Sequence, residues 1–408
     1  MTGSLMLKLV ESSVDHSESS SHKLLSLEAS DAVDFWRLAC ESTQAGERVR
    51  PRPGAVQQWR HMHALGLRAG FVALEDDEFH GTAWRNERTT DQAIVAWVEH
   101  HDFEKWRALF EVCFGHSVSH ALWRWKYREA HKPGIGIWVA GELVAFYGGM
   151  PRIIRCEGRE YPAIQVGDVM VHPQHRASLS RTGPFQMAAS TFLEQQLSVG
   201  SPYWIGFGFP NRRAMQVARR LRLYRPVDEV VELQWPALAS PHKQLPWWCN
   251  MRETRDMDRV AFAWARMQKS MPGNMLGVRD ARYLRERYLQ HPETGYRFIE
   301  VYHTVWRHVI GFVVAKVQTD DRLELLDLIG APSDMAWMVL AARTWAHSLK
   351  LHSTYFWLTR SQLKHMQTTD PVVHEIGVLV PTNDWVPGNT HLKPDGRWWL
   401  TGGDTDFR

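Results

Sequence analysis

Cysteine is scarce in this 408-residue chain: Cys40, Cys113, Cys156 and Cys249 stand far apart and form no CxxC. That spacing excludes a disulfide scaffold and makes a reduced, cytoplasmic setting the expectation. Net charge is also lacking. Lys plus Arg total 48 against 45 Asp plus Glu, a balance of +3, so no global field favours nucleic acid or an anionic membrane. The longest apolar run, Met335 to Ala342, is far too short to span a bilayer. The first residues, "MTGSLMLKLVESSVDHSESSSHK", have no basic flank followed by an apolar core, so no secretory leader is expected. No Gly-x-Ser-x-Gly elbow or Cys/His nucleophile pair appears, which leaves hydrolase chemistry without support. His116 and His120 have the i,i+4 spacing of a metal pair, but no HExxH and no third ligand accompany them. Capping or surface histidines, and no metal, are expected.

The chain does hold 20 Trp and 44% hydrophobic residues, an ordinary globular composition long enough for two or three domains. Residues 1–92 read as an N-terminal extension, partly disordered: a Ser-rich stretch, a Pro/Arg linker ("ERVRPRPG"), a charged aperiodic segment, and short helices at most around 31–40 and 56–67. From Ala93 the pattern sharpens. A strand leads to Asp102 and a helix with apolar Phe103, Trp106, Leu109, Phe110 and Cys113. A meander follows, turning at Ala140-Gly141-Glu142 and Glu157-Gly158-Arg159 and ending at Val171. Next come an amphipathic helix ("FQMAASTFLEQQL"), a strand ("YWIGFGF") and a helix capped by Asn211.

An internal repeat organises the rest. "LWRWKYREAHKPGIGIWVA" is echoed by "YLRERYLQHPETGYRFIEV", with Tyr127 matching Tyr288, Asp168 matching Asp327 and Pro173 matching Pro332. A duplicated α/β (α+β) unit is therefore expected, with a first domain over 93–235 and a second, degenerate one over 236–408. The copies differ after the matched proline. The first spends Gln174–Pro184 before its helix, the second only "SDMA".

That extra loop closes the stretch "DVMVHPQHRASLSRTGPFQ". A strand ending in a Gly-containing loop that opens a helix can aim backbone N–H groups at an anion, with the helix dipole assisting. Arg176 and Arg181 add charge, Thr182 a hydroxyl, and Gly183 a close approach to backbone; the plain alternative is a solvated basic loop. The element order, with "VHPQHR" at the loop, resembles the GNAT superfamily of acyl-CoA-dependent N-acyltransferases. Val171, Pro173 and Arg176 match its V-x-P-x-x-R run, while Leu179 and Arg181 stand where two glycines are usual. "FPNRRAMQVARRLRLYRPV" resembles the family's N-x-x-A helix through Asn211, Ala214 and Leu221. Arg222 replaces the usual Gly, and Ala218 the usual Tyr.

The resemblance implies two tandem GNAT-like domains, each a mixed, mostly antiparallel twisted sheet flanked by helices, as in tandem GNAT proteins of bacteria. Some of those are associated with polysaccharide or cell-envelope pathways. It implies acetyl-CoA or another acyl-CoA as co-substrate, no metal, and an amine of a small molecule, amino sugar or peptide as acceptor. Met170, Val171, Arg176, Arg181, Thr182, Gly183, Phe185 and Asn211 become the coenzyme-binding set, with the amides of Met170 and Val171 on the thioester carbonyl. Asp168 and Tyr224 are the catalytic candidates. A carboxylate beside the thioester can take a proton from the attacking ammonium, though a strand-end Asp pairing with Arg155 is the plainer reading, and the echo at Asp327 favours it. The Arg-rich helix from Arg212 has an apolar face, so its arginines read as a solvated side and not as a nucleic-acid patch. Two other readings stand beside the transferase: a Fem-like enzyme using charged tRNA, and a non-catalytic module that binds ligand on the same fold.

Overall fold

The computed structural model describes residues 23–24, 71–75, 82–86 and 92–405, apart from 131, 177–182, 199, 239–244 and 387–391. The helices expected around 31–40 and 56–67 lie outside the described residues.

Two mixed sheets flanked by helices build the molecule. The first contains β1 (Lys23–Leu24), β2 (Phe71–Glu75), β3 (Thr82–Asn86), β4 (Gln92–Val98), β5 (Gly134–Val139), β6 (Glu142–Cys156), β7 (Arg159–Val171) and β8 (Ile205–Gly208), hydrogen-bonded in that order. Every neighbouring pair is antiparallel except β7 and β8. Both meander turns fall where the sequence places them. Ala140-Gly141 and Glu157-Gly158 each have two successive residues at positive φ, the geometry a two-residue hairpin needs.

Helices α1 (Phe103–Phe114) and α2 (His120–Lys126) cover one face of this sheet; α3 (Pro184–Leu197) and α4 (Arg212–Arg220) cover the other. Residues of α1 packed inward include Phe103, Trp106, Leu109 and Phe110, as the periodicity predicts. Helix α3 is not amphipathic in place: it is buried almost continuously from Gln186 to Glu194. Ala188, Ala189 and Ser190 allow close packing, and Glu194 accepts a hydrogen bond from Trp385 Nε1 at 2.7 Å, which lets a charged residue face inward.

The second sheet contains β9 (Tyr224–Pro236), β10 (Cys249–Glu253), β12 (Arg297–His303), β13 (Val309–Val317), β14 (Arg322–Gly330), β15 (Ser353–Thr359) and β16 (Val372–Asn383), in the order β10-β12-β13-β14-β15-β9-β16. Helices α5 (Val260–Ser270) and α7 (Met335–Ser348) pack on its largest core, and the short α6 (Ala281–Leu284) precedes β12. Only β14 and β15 run parallel. Strand β9, counted with the first unit in the sequence, is hydrogen-bonded between β15 and β16. Val231, Leu233 and Trp235 bury one of its faces in the second core, and that burial holds the strand there. Two short strands, β11 (Met275–Gly277) and β17 (Trp398–Trp399), tie the halves together: β11 pairs with β6 and with β17. A shared core of Phe207, Met275, Tyr355 and Trp398 fills the space between the sheets.

Candidate functional site

β7 and β8 run side by side for only four residues, Ala163–Val166 against Ile205–Gly208, and then part. The cause is local. The register against β6 slips between Phe146 and Gly148, so Asp168 and Val169 both lie opposite Tyr147, and Asp168 takes φ +51. A bulge of this kind bends its strand and increases its twist. β8 stops because Pro210 follows and Asn211 caps α4.

Beyond the bulge no described strand pairs with the outer edge of β7, which leaves a gap between it and β8. His172 N donates to Val144 O at 2.8 Å, and strand alternation then turns the Met170 amide toward β6 and the Val171 amide and carbonyl toward the gap. The Val171 carbonyl accepts Arg176 Nε at 2.8 Å and the Cys113 thiol at 3.4 Å. Burial pushes that thiol's pKa up, against the opposing effect of Arg176. Of the two amides expected to meet a carbonyl, Val171's is directed into the gap, while Met170 buries its side chain with Tyr127 and Phe146.

Asp168 lies on the α1–α2 face. Its carboxylate accepts Lys126 Nζ at 2.6 Å and Tyr127 Oη at 2.7 Å, with both ion-pair side chains less than 10% exposed. Arg155 is not its partner. It sits far down β6 and pairs with Glu160 across the hairpin, at 3.6 Å.

Tyr224 begins β9 on the opposite face, buried in the core with Tyr147, Phe192 and Ala218. Burial pushes its pKa up to about 12. A hydrogen bond with Tyr147 partly offsets that rise and adds to the rise at Tyr147, the signs expected when Tyr147 donates. Tyr224 therefore keeps its proton at neutral pH.

Arg181 and Thr182 lie outside the described residues. Gly183 is the N-cap of α3 and Pro184 its first residue, with no side chain capping the turn. The amides of Phe185 and Gln186 thus open this helix, where the dipole favours an anion. Phe185 leans toward Tyr147, ring centroids 6.4 Å apart. Asn211 Oδ1 accepts from Ala214 N at 2.9 Å, so its side chain serves the helix cap. His120 packs on Phe103 and His116 Nδ1 lies 3.4 Å from Ser117 O.

The corresponding place in the second sheet has the same clamp and a different fate. Tyr288 Oη donates to Asp327 at 2.6 Å, and β14 and β15 also part after four paired residues. Asp327 is wholly buried, with Arg279 Nε at 2.7 Å and Thr401 Oγ1 at 3.1 Å. The gap itself holds the chain's own segment after β17. Thr359 N donates to Leu400 O at 3.1 Å, and Asp404 accepts Arg279 Nη2 at 2.5 Å. Gly403 fits so closely that a Cβ there would meet Tyr288 Oη at 2.0 Å and Asp327 Oδ2 at 2.8 Å. Burial opposes the charge on Arg279, but Asp327 and Asp404 outweigh it and its pKa stays raised.

Sequence reasoning missed Lys126, Tyr147 and this C-terminal plug. Tyr127 entered the sequence reading only as the match of Tyr288; the structure shows that both tyrosines hold the matched aspartates. Nothing in the sequence pairs Lys126 with a residue 42 positions away.

Residues 96–203 match the family model described as acetyltransferase (GNAT) domain. Similar solved structures include a conserved protein of unknown function from Enterococcus faecalis V583, described as a probable N-acyltransferase (15% identity, 72% of each chain, TM-score 0.54). A GCN5-related N-acetyltransferase from Kribbella flavida gives 16% identity, 71% of each chain and a TM-score of 0.52. Another from Anabaena variabilis ATCC 29413 gives 10% identity over 72% of this chain and 73% of that one, with a TM-score of 0.53. These likenesses are of fold. No curated protein matches the sequence.

Proposed function

Because the chain belongs to the GNAT superfamily through its domain at residues 96–203, we propose that it is an acyl-CoA-dependent N-acyltransferase working at the gap between β7 and β8. We read the chain as two tandem units, of which only the first is active. The observation that carries this is the contrast between the gaps: the second is filled by Leu400–Asp404, whereas Val171 turns its amide into the first.

In this reading the acyl thioester lies along β7 with its carbonyl on the Val171 amide. One such donor aimed at developing charge is worth roughly 3 kcal/mol. The coenzyme reaches the gap from the α3–α4 face, its phosphates near the α3 N-terminus and the loop that includes Arg181, Thr182 and Gly183. The amine arrives from the α1–α2 face, where Asp168 stands. Its nitrogen attacks the carbonyl carbon, the C–S bond breaks, and the sulfur leaves as thiolate on the face of Tyr147 and Tyr224. Asp168 attracts the ammonium and takes its proton, directly or through water; the protonated Tyr224 steadies the thiolate. Holding both substrates at one gap supplies much of the rate. The acceptor is an amine of a small molecule, amino sugar or peptide, and a setting in polysaccharide or envelope chemistry belongs to the same proposal. Among the described residues no helix is long and apolar enough to cross a membrane.

Isothermal titration with acetyl-CoA tests the reading. One saturable site per chain is expected, weakened by Arg181→Glu. No binding at high ligand concentration would overturn both the activity and the gap assignment. The same result would favour the non-catalytic alternative.

A further inference from the structure

One corner of the second sheet exposes more apolar surface than its fold requires. Trp247 is 78% exposed, Trp306 74% and Val305 61%. Apolar residues exposed singly are ordinary, whereas a cluster of them marks a contact surface. These three belong to one cluster. Cys249 at the start of β10 pairs with His303 at the end of β12, and Thr304 N donates to Trp248 O at 2.7 Å. Trp247 therefore adjoins the turn between β12 and β13 that carries Val305 and Trp306.

The rings are fixed in place. His303 Nδ1 accepts from the amides of Val305 and Trp306, both at 3.3 Å. Trp306 lies face to face with the His303 ring, centroids 4.5 Å apart and planes 18° from parallel. His303 stacks in turn on Trp248 at 5.9 Å, and Trp248 meets Trp337 of α7 edge-on at 4.9 Å. The outermost indole is thus rigid and still in water. Little side-chain freedom remains to be lost when something covers it.

The charge at this corner has one sign. Neither residues 245–250 nor the turn at 303–308 contains an acidic residue. Arg307 follows Trp306, with its guanidinium over the Tyr302 ring at 4.8 Å and no ion pair among the described residues. It takes φ +56, a conformation that glycine adopts most easily, yet the turn keeps a cation there. Behind it, Arg252 and Arg259 share the single buried carboxylate of Glu300, each at 2.7 Å. Arg259 also donates to the Arg307 carbonyl, which ties the turn to α5.

We propose that this corner docks the protein reversibly on an anionic lipid surface. Trp247, Val305 and Trp306 enter the headgroup region, and Arg307 meets the lipid phosphates. Side chains on a turn need no matching pocket to enter the edge of a bilayer. Trp is the residue that rests at that depth, its apolar body inward and its N–H toward water, and a neighbouring cation adds attraction to anionic lipid. Val305 offers nothing to a stacked base or sugar ring, and the lack of a carboxylate disfavours a cationic partner. A net charge of only +3 gives little long-range pull, so attachment depends on the apolar side chains together with the local cation.

Co-sedimentation of the full chain with vesicles tests this, using phosphatidylcholine alone and an equal mixture with phosphatidylglycerol. The protein should sediment with the mixed vesicles and far less with the neutral ones. Trp247→Ser combined with Trp306→Ser should lower the bound fraction about fivefold, and Arg307→Gln should weaken binding to the mixed vesicles only. Leu349→Ser, an exposed apolar residue at the far end of α7, should change nothing. Val305→Asp repeats the test through one exposed side chain if the double variant melts early. Failure to sediment with either vesicle overturns the inference, as does unchanged binding by both the double variant and Val305→Asp. A dimer in free solution that these variants break also overturns it, because a second copy would then cover the corner. None of these outcomes bears on coenzyme binding at the first gap.

Discussion

Arg222 takes φ +58 immediately after the last turn of α4, at the position where the sequence motif leads one to expect glycine. A non-glycine residue in the left-handed region costs roughly 1–2 kcal/mol, part of which glycine gives back through its freer unfolded chain. Arg222→Gly should therefore stabilise the fold by about 0.5–1 kcal/mol. Urea unfolding measures it, and a lower midpoint at unchanged slope would show that the arginine side chain outweighs the strain. The twin aspartates give a second comparison. Asp327→Asn weakens a fully buried pair with Arg279 and should cost about 3 kcal/mol. Asp168→Asn keeps a side chain that tolerates positive φ but removes the carboxylate charge that faces Lys126 in a nearly buried pair, so it should cost about 2–3 kcal/mol while slowing acyl transfer more than tenfold. Normal turnover in Asp168→Asn would return that residue to a structural role like its twin's.

Among the elements, the segment Leu400–Asp404 separates the two gaps. Gly403→Ala places a methyl group against Tyr288 Oη and Asp327 Oδ2, both of them pinned by hydrogen bonds. Overpacking of this kind costs roughly 1–3 kcal/mol, and a thermal melt should show it. An alanine variant as stable as the parent would mean that the plug shifts freely. How far elements were legible depended on how local their causes are. The turns at Gly141 and Gly158 and the buried stripe of α1 follow from nearby residues. The burial of α3 on nearly all sides does not, because Glu194 meets Trp385 only after the chain has folded.

The junction of the two halves gives the whole molecule a pH dependence. His291, from the second half, lies half-buried against Trp125 of the first, with its pKa lowered from 6.5 to about 4. A folded pKa below the unfolded one contributes stability above pH 6.5, lost as pH falls through about 4. For so exposed a ring, solvent screening leaves roughly 1 kcal/mol. The melting temperature should fall across that window, and His291→Gln should flatten the fall; an unchanged slope in the variant would assign acid sensitivity elsewhere.

The sequence by itself determined the mixed α/β class, the order of elements and the two hairpin turns, because propensity, periodicity and turn chemistry act over a few residues; its internal repeat also matched Tyr127 with Tyr288 and Asp168 with Asp327. The strand that ends at Val171 and the helix that opens at Pro184 were legible for the same reason. The tertiary structure alone decided that β9 joins the second sheet, that Lys126 meets Asp168, and that Thr401–Asp404 closes the second gap. Each of these joins residues distant along the chain, and burial and charge pairing choose such partners only once the sheets are assembled.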